Sequence, residues 1–275
     1  MVAGRNSFRP TGTPGYLLTM LIETQITDSV LSVTLNDPER RNPLSAGMIQ
    51  DLRSALTAVG RDLRVRCVLL TGRGPGFCAG GDLELIDTAS PAEVTRFMGD
   101  SQSIVQAVSA LPLPVVIAVN GAAAGAGFSL ALSGDVVLAG RAAVFVPAFA
   151  RIGAVPDLGL IHTLHRSIGL HRTNDILLRG KPIDAPRAEA LGFVTEVVAD
   201  DELPKRALEV ARELASGPTV ALGLARKLIR AATTSSLETF LVSESAAQGV
   251  AFSTADFREG IAALRERRTP RFKGQ

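Results

Sequence analysis

An α/β fold with a largely parallel sheet is predicted by three features of the sequence. Short apolar runs bounded by Gly or Pro, such as VRCVLL (65–70) and PVVIAVNG (114–121), alternate with segments of helical spacing. That rhythm is the signature of crossover units. From about residue 159 the strand signals thin out and the chain becomes mostly helical, with no long linker and no internal repeat at the change. The helical part is therefore expected to pack on the same body rather than stand as an independent domain.

Each element has its own signal. ITDSVLSVTLND (26–37) alternates and predicts one strand, which ends in the turn residues NDPERRNP (36–43). Ser45 stands at an N-cap position before MIQDLRSALTAV (48–59), whose apolar residues recur at helical spacing. VRCVLLTG (65–72) reads as a buried strand, and a helix is expected over 92–110. Further strands follow at 114–121, 135–140 and 142–147, with FVTEVV (193–198) a short late one. ELPKRALEVARELAS, TVALGLARKLIRAA, SLETFLVSESAAQGVAF and ADFREGIAALRERR supply the C-terminal helices. Some have wide apolar faces, for which burial in the core is the favoured explanation and a subunit interface the other.

Composition narrows the partners. The chain has 275 residues, 29 Lys+Arg against 27 Asp+Glu, and a net charge of +2, which argues for neither nucleic acid nor a membrane surface. Two cysteines, Cys67 and Cys78, make no disulfide framework and fit a reducing cytoplasmic setting. No run of 18 apolar residues occurs, so no membrane span is expected. Residues 1–19 read as a flexible leader with Met20 a second possible start, 20–200 as the core, and 201–275 as a C-terminal helical region.

Two glycine-rich stretches follow apolar strands directly: GPGFCAGGDL (74–83) and NGAAAGAGFSLALSGD (120–135). Gly125 and Gly127 have G-x-G spacing, but Leu130 stands where a dinucleotide fingerprint needs its third glycine, and no P-loop motif is present. Tight helix-on-sheet packing is one explanation. The other is chemical: N–H groups in the first turn of a helix lack intrahelical partners, and small side chains let an oxygen approach them. Two such amides, one from each stretch, would grip a carbonyl oxygen as it gains negative charge.

At these residues the chain resembles the crotonase, or enoyl-CoA hydratase/isomerase, superfamily. The resemblance is carried by TLNDPERRNPLS (34–45), VLLTGRGPGFCAGGDL (68–83), PVVIAVNGAAAGAGFSLALSGDVVLAG (114–140), RIGAVPDLGLIHTLHRSIG (151–169), KPIDAPRAEALGFVTEVV (181–198) and FREGIAALRERRTPRF (257–272). It implies a spiral of ββα units with a C-terminal helical trimerisation region, assembled as a homotrimer or a dimer of trimers. It implies an acyl-CoA thioester substrate, with no cofactor beyond that coenzyme A and no metal. By position, Gly81 and Ala126 would donate the two oxyanion-hole amides. Ala79 and Leu83 match the lining of the CoA path, Arg41 a basic residue that meets the nucleotide, and Arg267 one that reaches a neighbouring subunit's CoA. For either arginine, a solvated charge is the simpler reading.

The acids depart from the family's hydratases. Their two glutamates correspond here to Ser129 and Phe149, which the resemblance places against the substrate but neither of which transfers a proton readily near neutral pH. Asp157 in VPDLG matches the aspartate of some family isomerases. Its residue-level reading leaves two roles open: a proton carrier desolvated between Phe149 and Leu158, or the N-cap of the following helix. Asp82 and Asp135 are favoured as caps. His162 and His165 are three apart but lack a third metal ligand, so an exposed helix face is expected. The favoured activity is an enoyl-CoA isomerase using one aspartate. A hydratase with a non-standard acid and a non-catalytic acyl-CoA-binding homologue are the alternatives.

Overall fold

A computed structural model of the protein describes residues 21–60, 62–87 and 89–275. The leader expected over 1–19 lies outside the described residues. Strands β1 (Ile22–Thr27) and β2 (Val30–Leu35) lead to helix α1 (Ala46–Val59). The second unit is β3 (Cys67–Gly72), β4 (Gly76–Cys78), α2 (Leu83–Asp87) and α3 (Pro91–Ala110). The third is β5 (Val115–Val119), β6 (Ala122–Ala124) and α4 (Ala126–Ala131), and the fourth is β7 (Val136–Gly140), β8 (Val144–Val146) and α5 (Leu160–Ile168). Then come α6 (Leu170–Arg179), β9 (Ile183–Asp184), α7 (Ala185–Leu191), β10 (Glu196–Val198), α8 (Leu203–Ser216), α9 (Thr219–Ala232), α10 (Leu237–Ser253) and α11 (Ala255–Glu266).

Two sheets divide the strands. One has the order β1-β2-β3-β5-β7-β10 and is parallel from β2 onward, and the other has the order β4-β6-β8-β9. Units two to four therefore each send their first strand to the larger sheet and their second to the smaller. This is the repeated ββα arrangement, and the glycine-rich stretches run into and out of β4 and β6 of the smaller sheet.

The segment expected as one strand over 26–37 is a hairpin. Asp28 and Ser29 both have positive φ, 50° and 60°, the geometry of a tight two-residue turn whose twist matches its strands. Asp28 and Ser29 fall in a short polar run between apolar residues, so the sequence hid the turn. β4 and β6 were also hidden, because three-residue strands inside glycine-rich stretches have too little side chain to show a period. The helix after Ser45 forms as expected, with the Ser45 hydroxyl accepting from the Met48 amide at 3.3 Å. Ser90 and Glu93 cap α3 reciprocally.

Both faces of the larger sheet are covered, as a parallel sheet requires. On one face Leu70, Ile117 and Leu35 pack with Leu52 of α1 and with Phe77, Phe128 and Phe145. On the other, Cys67, Val116 and Leu138 meet Ala207, Ala211 and Ala215 of α8, whose small side chains at successive turns let the helix lie close. α9 is anchored by Arg226, which donates to Asp135 at 2.5 Å and to the Val108, Ser109 and Leu111 carbonyls at the end of α3. Core burial, the favoured expectation for the late apolar faces, fails for α10 and also for α9, whose one buried residue is Arg226. The main contacts of α10 among the described residues are with α9 and α11, and none of its residues is buried.

Candidate active site

The two glycine-rich exits lie side by side. β4 and β6 pair in parallel, so the segments that leave them run on together. A β-carbon on Gly127 would fall 2.3 Å from the Cys78 carbonyl oxygen. One on Gly80, whose φ is +99°, would fall 2.6 Å from the Ala124 oxygen and 3.4 Å from the Ala126 nitrogen. Close backbone approach is thus what demands glycine here. Just beyond this contact are the Gly81 amide and the Ala126 amide, the latter in the first turn of α4. Among the described residues, neither has an acceptor.

A third segment fixes the first exit. After a 3-10 turn at Pro38–Arg40, Arg41 and Asn42 adopt left-handed φ of 62° and 57°. The Arg41 carbonyl accepts from Ala79 N at 2.8 Å, and Leu44 N donates to Gly80 O at 2.7 Å. Asn42 is completely buried: its carboxamide donates to Gly76 O at 2.9 Å, Arg73 O at 3.0 Å and Phe77 O at 3.2 Å, and accepts from Asp37 N at 2.9 Å. Asn120 accepts from Gly72 N and donates to Gly74 O. Sequence reading singled out neither asparagine. Their only signal is a place in Asn42-Pro43 and Asn120-Gly121, dipeptides that mark turns.

The acid site sits against the second exit. Phe149 is buried, and its ring edge lies 3.9 Å from where a Gly125 β-carbon would be. Ser129, buried in α4, donates from its hydroxyl to the Asp157 main-chain carbonyl at 3.0 Å. The Asp157 carboxyl has a buried Oδ1 with no hydrogen-bond partner among the described residues. Burial pushes this carboxyl up from 3.8 to about 6, against a smaller opposing pull from its own backbone. Asp157 does not cap α5, whose N-cap is Gly159 in the left-handed region with no side-chain bond. Of the two readings the sequence left open, capping is therefore excluded. The adjoining Leu158 is buried at a φ of 46°.

Arg41, Ala79 and Leu83 are exposed around the first exit, and Gly81 is half-buried there. Arg267 is exposed at the end of α11, and no hydrogen bond or ion pair joins it to either exit among the described residues. Asp82 pairs with Arg40 at 3.0 Å, and Asp135 ties together Val115 N, Arg226 and Arg230. His162 and His165 are exposed, and no cluster of three metal-ligating side chains occurs among the described residues. Cys67 and Cys78 are free and buried, and desolvation raises both thiols to about 12. No helix among the described residues is long and apolar enough to cross a membrane.

Successive ββα units feeding two sheets, with two glycine-rich exits meeting beyond β4 and β6, define an α/β enzyme of the crotonase fold class. The sequence matches the Enoyl-CoA hydratase/isomerase family over residues 25–275, and the chain belongs to that family. It is 41% identical to the 1,2-epoxyphenylacetyl-CoA isomerase of Escherichia coli K12, over 92% of this chain and 98% of that protein. It is 30% identical to the human mitochondrial methylglutaconyl-CoA hydratase, over 90% of this chain and 74% of that protein. The crystal structure of an enoyl-CoA hydratase from Bacillus anthracis superposes with a TM-score of 0.89 at 32% identity, covering 93% of this chain and all of the other, 100%.

Proposed function

We propose that this protein is an enoyl-CoA isomerase that shifts a C=C bond in an acyl-CoA thioester. The Gly81 and Ala126 amides hold the thioester oxygen, and Asp157 carries the proton. The ionised Asp157 carboxylate removes a proton from the α carbon of a 3-enoyl thioester. The electron pair of that C–H bond delocalises onto the thioester oxygen, where the two amides stabilise it. The protonated Asp157 then returns the proton to the γ carbon, the double bond settles between the α and β carbons, and the carboxylate is restored. No water, metal or further cofactor takes part. A carboxyl poised near 6 suits a group that must both accept and give back a proton near neutral pH.

The observation that carries this reading is the desolvated Asp157 carboxyl, whose Oδ1 has no partner among the described residues, on a residue tied by its main-chain carbonyl through Ser129 to the helix whose first turn holds the Ala126 amide, itself without an acceptor among the described residues. Ser129 and Phe149 stand where the resemblance expects the hydratase glutamates, which disfavours activation of water. Ala79 and Leu83 line the pantetheine path and Arg41 meets the nucleotide in this proposal. The exposed apolar side of α10 supports a homotrimer or a dimer of trimers, in which Arg267 would serve a neighbouring site. The buried free thiols go with a cytoplasmic setting.

A hydratase is the second reading, favoured by the name of the human relative. Incubation with 3-enoyl-CoA, 2-enoyl-CoA and an epoxide thioester decides between them. Isomerisation conserves mass and changes absorbance, hydration adds one water, and binding without turnover of any substrate indicates a non-catalytic homologue. Unchanged isomerisation by Asp157→Asn would remove the aspartate from the mechanism.

A further inference from the structure

The segment that carries Asp157 packs into the core through Leu158 but has few hydrogen bonds. Gly153, Leu158 and Gly159 all have positive φ, and Ala154 and Val155 are exposed. Ala154 is bonded back to the preceding turn through Phe149 O. Over 155–158, the Asp157 carbonyl accepts from Leu160 N at 2.9 Å, within the loop and the helix it enters. The only hydrogen bond that reaches those residues from elsewhere, among the described residues, is the one from Ser129 Oγ at 3.0 Å.

Ser129 is well placed to serve as an anchor. Every residue of α4 is buried, and Gly127 is wedged against Cys78, so the helix cannot shift without moving β4. The hydroxyl has one proton and two carbonyls within reach, Asp157 O at 3.0 Å and Gly125 O at 3.5 Å. The shorter contact takes the proton. A hydroxyl so engaged, on a side chain only 3% exposed, is not free to act on a substrate.

We infer that Ser129 is a positioning residue: its hydroxyl ties the Asp157 carbonyl to α4 and so fixes the Asp157 carboxyl relative to the Ala126 amide. The same rigid helix thereby supplies one oxyanion donor and sets the reach of the acid. The kinetic part of this inference rests on the isomerase reading, whereas the structural part does not.

Ser129→Ala tests both parts. Mass-detected hydrogen exchange over residues 153–160 is expected to accelerate about tenfold, with the α4 amides unchanged, because the variant loses the one hydrogen bond that ties residues 155–158 to the rest of the described fold. In 3-enoyl-CoA isomerisation, kcat is expected to fall about tenfold while KM stays within about twofold. In the Asp157→Asn background, Ser129→Ala is expected to cost nothing further, since it acts through the missing carboxylate. Unaltered exchange overturns the inference whatever the reaction, and so do kinetic losses that multiply across the two variants. A wild-type protein that turns over no 3-enoyl-CoA would refute the isomerase reading alone, and the exchange result would still decide the role of Ser129.

Discussion

Gly80 lies so close to Ala126 that a β-carbon on it would stand 3.4 Å from the Ala126 nitrogen, and still nearer, at 2.6 Å, to the Ala124 oxygen. This proximity puts the Gly81 and Ala126 amides on adjoining turns. Neither amide can be deleted by an ordinary side-chain change, but Ala126 occupies the first position of α4, where proline is tolerated. Ala126→Pro removes the N–H without requiring a new backbone path. It is expected to lower kcat by about 10² to 10³, the usual cost of one oxyanion donor. Circular dichroism and thermal melting should stay near wild type. A correctly folded variant with full kcat would show that the amide does no chemistry.

Asn42 substitutes for a strand ladder by itself. Its carboxamide satisfies three carbonyls of the Arg73–Phe77 passage and the Asp37 amide. Asn42→Ala would strand several of these in a buried place, at a cost of about 3 kcal/mol. Because Asn42 also holds the segment bonded to Ala79 and Gly80, activity should fall further than stability predicts. Denaturant unfolding beside kcat on the residual folded protein measures both. Equal stability for the two proteins would refute the assignment.

Much of this was legible in the sequence, and what was missed has a physical reason. Strands such as VRCVLL announce themselves because burial on both faces leaves only apolar residues. Ser45, as an N-cap, has a local cause and was read correctly. Asn42 and Asn120 were not, because most of their partners are main-chain carbonyls and amides 31 to 35 and 46 to 48 positions away, and main-chain groups have no sequence identity. The bond from Ser129 to Asp157 was hidden for the same reason. Its sequence signal was only a serine in an otherwise small and apolar helix. The position of Asp157 in VPDLG left both capping and desolvation open, and the left-handed Gly159 at the start of α5 separates them.

Arg226 anchors α9 through one carboxylate and three carbonyls at the end of α3, with its guanidinium almost wholly buried. Desolvation pulls its pKa down, opposed by Asp135. Arg226→Met removes the charge, keeps much of the volume, and leaves those acceptors unsatisfied. Loss of one partner from a buried pair costs about 3 to 5 kcal/mol. Asp135 keeps Arg230 as a second partner at 3.0 Å, which argues for the lower end. Calorimetry provides the check, and a melting point within about 2 °C of wild type would contradict this account.

Asp157 makes the stability of the fold depend on pH. Its folded value, about 6, lies above the ordinary 3.8, so the unfolded chain gives up its proton first as pH rises. Stability is full below about pH 4, declines between about 4 and 6, and stays lower above that window. Asp157→Asn cannot ionise and escapes this penalty. Its melting point is expected to exceed wild type by roughly 2–4 °C at pH 8, for about 1 kcal/mol after allowance for partial solvent exposure, with the gap closing at pH 4. The isomerisation rate of the wild type should rise through about pH 6 and then level, as the carboxylate forms. A variant melting below wild type at pH 8 would mean that the carboxyl is stabilised, not desolvated.

The exposed face of α10 gives a prediction about assembly. Val242 is 72% exposed, Leu237 67% and Val250 51%, and Phe252 stacks on Phe257 with ring centroids 4.4 Å apart at the junction with α11. Exposed apolar side chains spread round a helix are a liability in a single chain and an asset between subunits. Sedimentation should therefore give a mass of three or six chains for the wild type. Val242→Asp, which adds a charge at an already exposed position, should leave the fold of a single chain intact and shift the equilibrium toward it. If Arg267 serves a neighbouring site, the dissociated variant should also show a raised KM for acyl-CoA with its own Asp157 and Ala126 undisturbed. A wild-type protein that sediments as a single chain would remove the interface and the role of Arg267 together.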